Sequence, residues 1–311
     1  NYTIGGNISA IDNEVTDLGN GDFITGGANV QKIGFPATRT LVGYDFASFF
    51  ALQSNGIFQN EGEVERHIAL NENGIPIDAK GNALTNIEIE NGKYFGYYID
   101  ESGEEKRAQA RPLQRNAKPG DLRYSDTNFD GKIDEDDLTY QGSSIPDFTY
   151  GGYLTVEYAN MDLSVSVLGT QGNEIANIRS YWLQSSNPLE SNLAANRINR
   201  WTEEGSSNTE PRVTTDLNDN TLYSDRFIED GSFFRIRNVQ LGYTLPTSLL
   251  SSFKISRARL YISADNLLTV TNYSGLDPEI GSAFGDSFSP GVDYGVYPVA
   301  KTFIVGTNIT F

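Results

Sequence analysis

The chain has no cysteine, one histidine, one methionine and two tryptophans in 311 residues. Without cysteine there are no disulfides, no thiolate chemistry and no thiolate metal site. With His67 as the lone histidine, neither a catalytic triad nor a histidine-based metal cluster is built within this chain. His67 is therefore expected in a loop or at the surface. No run of about 18 apolar residues occurs, which excludes a transmembrane helix. Cations are also scarce: 23 Lys and Arg stand against 41 Asp and Glu, a net charge of −18. Phosphate binding needs a basic footprint, so no nucleic-acid partner is expected.

What remains is aromatic and rich in turns. Seventeen Tyr, 17 Phe and 31 Gly suit strands joined by many turns, at a mean hydropathy of −0.40. A β-barrel is compatible with that value, because its strands are apolar on one face only. The chain begins at Asn1 in mid-pattern, with no initiator Met, charged n-region or apolar h-region. A removed leader or a C-terminal piece of a longer polypeptide accounts for this, and the strand count favours a piece.

The last nine residues alternate most clearly. Phe303, Val305, Thr307, Ile309 and Phe311 share one face, with Ile304, Gly306, Asn308 and Thr310 on the other. An alternating final strand ending in Phe is how outer-membrane barrels usually end, and a soluble sandwich could carry the same strand. The pattern recurs upstream. Tyr2, Ile4, Ile8 and Ala10 share a face, followed by turn residues at Asp12-Asn13, and a second strand is expected near Thr40 to Leu52. Asp147 to Tyr158, a tight turn at Ala159-Asn160, and a strand with Met161, Leu163, Val165 and Val167 on one face make a hairpin. Phe233 to Tyr243 shifts its apolar face at Asn238, which predicts a bulge. Ile255 to Leu268 sets Ala258, Leu260, Ile262 and Ala264 against Arg257, Arg259, Tyr261 and Ser263.

About seven strands result, joined alternately by short and very long connections, as in outer-membrane barrels. This spacing predicts short periplasmic turns near Asp12, Ala159 and Pro246. It predicts extracellular segments near 53–142, 173–231 (with helical periodicity from Asn173 to Trp201) and 269–297. Seven strands with such loops do not close a barrel alone, so further strands are expected from a missing N-terminal portion or another chain.

One stretch carries metal chemistry. Residues 126–137 match the calcium-loop pattern at its positions 1, 3, 5, 6 and 12. Asp126, Asn128 and Asp130 are predicted side-chain ligands, Lys132 a backbone-carbonyl ligand, Asp134 a ligand through water and Asp137 the last ligand. Asp137 replaces the usual Glu, as in dockerin-type loops. The expected role is structural, bracing the long 53–145 loop region; the alternative is a solvated acidic turn. Glu61, Glu63 and Glu65, or Glu88 and Glu90, alternate along polar stretches and read as solvated charge rather than a glycosidase pair. Tyr181, Trp182 and Trp201 read as a small loop core, with sugar stacking as the alternative. Arg257 and Arg259 are expected to face a lumen. Gly151-Gly152 and Gly26-Gly27 lack the following helix and basic residue of a phosphate loop.

The stretches Lys118 to Asp126, Ile145 to Gly152, Gly56-Ile57-Phe58-Gln59, Phe233 to Tyr243, and Asn266-Leu267-Leu268-Thr269 followed by Tyr273 to Glu279 resemble the SusC/RagA family. These are TonB-linked outer-membrane proteins of Bacteroidetes. The resemblance covers nearly the whole chain in order and ends at the same terminal Phe. It implies residues 1–311 as the C-terminal segment of an all-β transmembrane barrel of about 22 strands. It further implies an N-terminal barrel and plug portion, TonB coupling, a SusD-like surface lipoprotein as lid, and non-enzymatic import of glycans or peptides. Phe303, Val305, Ile309 and Phe311 would form the barrel-insertion signal. The rival reading is a secreted calcium-binding β-protein, an adhesin or carbohydrate-binding module, whose apolar strand faces would pack on each other in a soluble core.

Overall fold

The structure is a computed structural model that describes residues 1–26, 36–184, 192–216, 218–251, 254–282 and 285–311. Gly27, of the Gly26-Gly27 pair, and part of the 173–231 segment fall outside the described residues, while Gly26 ends a short strand.

Period-two alternation produces one large antiparallel sheet of six strands. In chain order these are β1 (Tyr2–Ala10), β2 (Phe148–Tyr158), β3 (Met161–Gln171), β4 (Phe233–Thr244), β5 (Arg257–Thr271) and β6 (Thr302–Thr310). Spatial order follows chain order, so every neighbour is a sequential antiparallel strand. The β2–β3 hairpin closes on two residues, Tyr158 opposing Met161, with Ala159 at φ +53° as a tight turn requires. The bulge expected at Asn238 is present. The register slips between Ile236 and Asn238 against β5 and between Ser166 and Val167 against β3, and Asn266 at φ +51° supplies the extra residue on β5.

The remaining connections form a layer of small sheets at one end of the large one. Ile24–Gly26, Thr38–Thr40, Ser48–Ala51 and Thr139–Tyr140 make a four-stranded sheet. Thr85–Glu90, Lys93–Ile99 and Glu105–Gln109 form a meander. Glu174–Asn177 pairs with Ile228–Asp230 and Val292–Asp293. The hydrophobic core lies mainly in this layer. Phe49 and Ala51 enter one cluster with Ile178, Tyr223 and Phe227, while Phe50 and Leu52 enter a second with Ile57, Leu122 and Tyr124.

Two expectations change. The strand expected near Thr40 to Leu52 is two short strands of the accessory sheet, because Ser48–Ala51 is buried on both faces between the two clusters. A sheet strand wetted by lipid or water on one face cannot be buried on both. As a result β1 pairs directly with β2, Ala10 opposing Phe148, and the whole of 11–147 is one excursion. The Asp12 turn thus stands at the long-loop end, opposite the turns at Ala159 and Pro246. The helical reading of Asn173 to Trp201 is met by Ile178–Gln184 and a 3-10 turn at Ala195–Asn199, but Glu174–Asn177 is strand because its backbone completes the three-stranded sheet.

Candidate functional site

The functional features are the two faces of the large sheet and the packed layer above it. On one face, paired residues run across all six strands as Ile4, Leu154, Val165, Val239, Ala264 and Phe303. The adjacent row is Tyr2, Val156, Leu163, Leu241, Ile262 and Val305. None of these side chains is buried, and Ile4 is 74% and Val305 84% exposed. Among the described residues the two rows stay open, while at the short-turn end the helical turn Thr247–Leu250 packs against β5, where Leu250 and Ala258 are buried. Phe303, Val305 and Ile309 lie on this face, opposite Ala264, Ile262 and Ala258, and the exposed Phe311 follows the strand.

The other face is polar and small. Thr3, Thr155, Ser164, Gln240 and Ser263 form one row. Tyr153 lies over Gly5 and Tyr261 over Gly306, each ring occupying the space a side chain would fill. Arg259 reaches across Gly242 to Asp162, Nε to Oδ1 at 2.8 Å. Arg259 is thus neutralised within the sheet, and the exposed Arg257 is not.

The stretches that carry the family resemblance meet in space as two knots. In the first, Arg235 is 1% exposed and donates to Asp277 Oδ1 at 2.6 Å, Glu279 Oε2 at 2.7 Å and Thr269 Oγ1 at 2.9 Å. Asp277 also accepts the Glu279 and Val299 N–H groups. Burial pushes its carboxyl up, but these N–H donors and Arg235 outweigh it and hold it below the usual range. In the second, buried Asp121 accepts from Arg212 Nε at 2.7 Å, from Asn218 and Asn220, and from the Lys118 N–H. Gly120, at φ +90°, lets the Trp201 ring approach where a Cβ would stand. Its N–H bonds Phe58, and Gln59 accepts the Trp201 indole N–H at 3.2 Å. Sequence reasoning assigned no role to Asp121, Arg212, Arg235 or Asp277. For Asp121, Arg235 and Asp277 the position inside the family-like stretches was the available signal; Arg212 lies outside them.

The 126–137 loop is a turn whose carboxylates hold its own backbone. Asp126 Oδ2 accepts the Gly131 N–H at 2.8 Å, with Gly131 at φ +80°. Asn128 and Asp130 cap the Asp130 and Lys132 N–H groups. Asp134 caps Asp136, and fully buried Asp137 accepts from Thr127 and Asp134 at 2.7 and 2.9 Å. Asp126 Oδ1 is buried with no hydrogen-bond partner, and burial together with the nearby Asp137 charge pushes this carboxyl up despite the Gly131 N–H. The donor set is hard oxygen, as calcium requires. Among the described residues no three acidic or histidine side chains stand close enough to hold a metal as they are. His67 is partly buried with its ring edge-on to Phe58, 5.2 Å between centroids. Burial, reinforced by the Arg123 charge, lowers its pKa to about 4.

No protein-family model matches the chain. Among curated proteins it is similar to two TonB-dependent receptors of Formosa agariphila. One is 34% identical over 62% of this chain and 20% of the relative, the other 31% identical over 71% and 22%. The TonB-dependent receptor SusC of Bacteroides thetaiotaomicron is 29% identical over 63% of this chain and 18% of SusC. A structure of the RagAB peptide transporter matches all of this chain and 27% of that one, with a TM-score of 0.64 at 22% identity. The same importer in its open-open state gives 0.61 at 21%. The chain spans about a fifth of the curated relatives it matches first. Its homologues are therefore TonB-dependent receptors, outer-membrane proteins that include SusC, and its fold is that of part of the RagA barrel. No helix among the described residues is long and apolar enough to cross a membrane.

Proposed function

We propose, from the premise that a homologue of TonB-dependent receptors keeps their membrane sheet, that this chain is the C-terminal part of an outer-membrane import barrel. One observation carries the reading: an apolar face runs across six strands with its central rows left uncovered among the described residues, while the core sits in the loop layer. In lipid such a face needs no cover. Strands of 9 to 15 residues are long enough to span, since a tilted transmembrane strand needs about 9–11. The opposite face, with Thr, Ser, Gln and a neutralised Arg259–Asp162 pair, lines the lumen. The loop layer then lies outside the cell and the turns at Ala159 and Pro246 in the periplasm. Backbone edges cannot stay open in hydrocarbon, so β1 and β6 pair with strands of the N-terminal portion.

The mechanism is non-enzymatic. A SusD-like surface lipoprotein delivers a glycan or peptide to the lumen, and a TonB-driven plug outside this chain admits it. Calcium in the 126–137 loop would draw Asp126, Asn128 and Asp130 onto one ion and brace the excursion, with Asp137 as the closing ligand. Terbium luminescence tests this: the whole polypeptide should give a saturable signal that calcium displaces and that Asp126→Asn with Asp137→Asn removes. Fractionation tests the larger reading. The polypeptide should partition with outer membrane and stay monodisperse only in detergent. A monodisperse soluble monomer would replace it with the secreted calcium-binding module.

A further inference from the structure

We infer that a cleft in the loop layer, between residues 111–116 and the middle of the calcium-type loop at 131–133, binds the carboxylate of a small ligand with an apolar body, such as a peptide's C-terminal residue. The cleft has a volume of about 370 Å³, within the range of small-molecule sites. Three cations stand on its wall, Arg111, Arg115 and Lys132, with Asp219 as the one acidic lining residue. In a chain of net charge −18 that concentration is unusual.

These cations are short of counter-ions. Arg115 is exposed and has no hydrogen-bond or ion-pair partner among the described residues. Arg111 donates to the Gly131 carbonyl and to no carboxylate, which fixes its guanidinium at the wall. Lys132 has only Asp130, at 3.9 Å and exposed to solvent. A guanidinium offers two parallel donors that match a carboxylate. Other lining residues differ in character: Leu113, Ile133 and Leu222 are apolar. Gln114, also on the lining, is buried and bonds the Leu122 carbonyl and Tyr124 N–H at 3.0 and 2.9 Å, which fixes its amide in place. Cations with few counter-ions beside apolar lining residues select an amphipathic anion over a neutral sugar or a polar sugar acid.

The test is calorimetric titration of the whole polypeptide in detergent with three probes: N-acetyl-leucyl-leucine, its C-terminal amide, and galacturonate. The free acid should bind, the amide and galacturonate at least about tenfold more weakly, following the loss of a charge-assisted pair or of apolar contact. Arg115→Glu should abolish binding of the acid, and Arg115→Gln weaken it, without altering folding, since Arg115 is exposed and unpartnered. Equal binding of acid and amide, no binding of the acid at millimolar concentration, or an unchanged Arg115→Glu affinity overturns the site. Galacturonate binding as tightly as the dipeptide acid overturns the peptide-like source. Binding is read directly, so failure here leaves the membrane-sheet reading untouched.

Discussion

Arg235 carries a charge into a site 1% exposed, and Asp277 meets it there. Removing one partner of such a pair leaves the other buried and unpaired, a loss of about 3–5 kcal/mol. Arg235→Met should therefore lower the urea midpoint strongly, and Arg235→Met with Asp277→Asn should recover part of it; a midpoint unmoved by the single change would mean the knot is not structural. His67 gives a pH dependence of definite sign. Its folded pKa of about 4 lies below its ordinary 6.5, so the unfolded chain takes up a proton first as pH falls. Its stabilising contribution is complete above pH 6.5 and is lost between 6.5 and 4, roughly 3 kcal/mol at most. Thermal unfolding followed across that window should steepen for the wild type and flatten for His67→Phe. At this scale the sequence disclosed chemistry poorly. His67 does lie in a loop, after the Glu61–Arg66 helix, but is partly buried, which the sequence did not show, and the residues of the two knots are ordinary Asp and Arg letters, of which only Asp121, Arg235 and Asp277 sit in the family-like stretches.

Strands were read far more reliably than sites because alternation is a direct record of two different solvents. β2, β3, β4 and β5 and the Asn238 bulge are where the pattern puts them. The pattern failed at Ser48–Ala51, where Phe49-Phe50 run together because both faces are buried, and that one misplaced strand also set the Asp12 turn at the wrong end. The faces predict opposite responses to charge. Val165→Arg, mid-row on the apolar face, should cost about 2–4 kcal/mol in lipid vesicles. Ser164→Arg, one residue away on the polar face, should cost much less. Equal costs would mean that the two faces do not meet different media.

For the molecule as a whole, two layers obey different physics. The loop layer has a packed apolar core around Phe49, Leu52, Ile57, Tyr124 and Tyr223, each fully or nearly fully buried. Burying such a side chain contributes about 1.5–3 kcal/mol. Among the described residues the large sheet has almost no core of its own, and β1 and β6 have no outer neighbour. Composition foretold the split, since low mean hydropathy and abundant aromatics suit one-sided strands under polar loops. How the packed layer folds was not legible, because side chains far away in sequence hold its short strands: Asp225 accepts from the Ser54 N–H and Asn208 from the Ile57 N–H, each more than a hundred positions distant. The chain's lack of cysteine makes the central claim directly measurable. Single cysteines placed from Asp162 to Val167 would be spin-labelled in the reconstituted polypeptide, and their collisions with oxygen in lipid compared with those of a water-soluble nickel chelate. A bilayer-spanning sheet predicts a period of two, with Leu163, Val165 and Val167 open to oxygen and Asp162, Ser164 and Ser166 to nickel. Uniform nickel access at all six positions would contradict it and place the sheet in water.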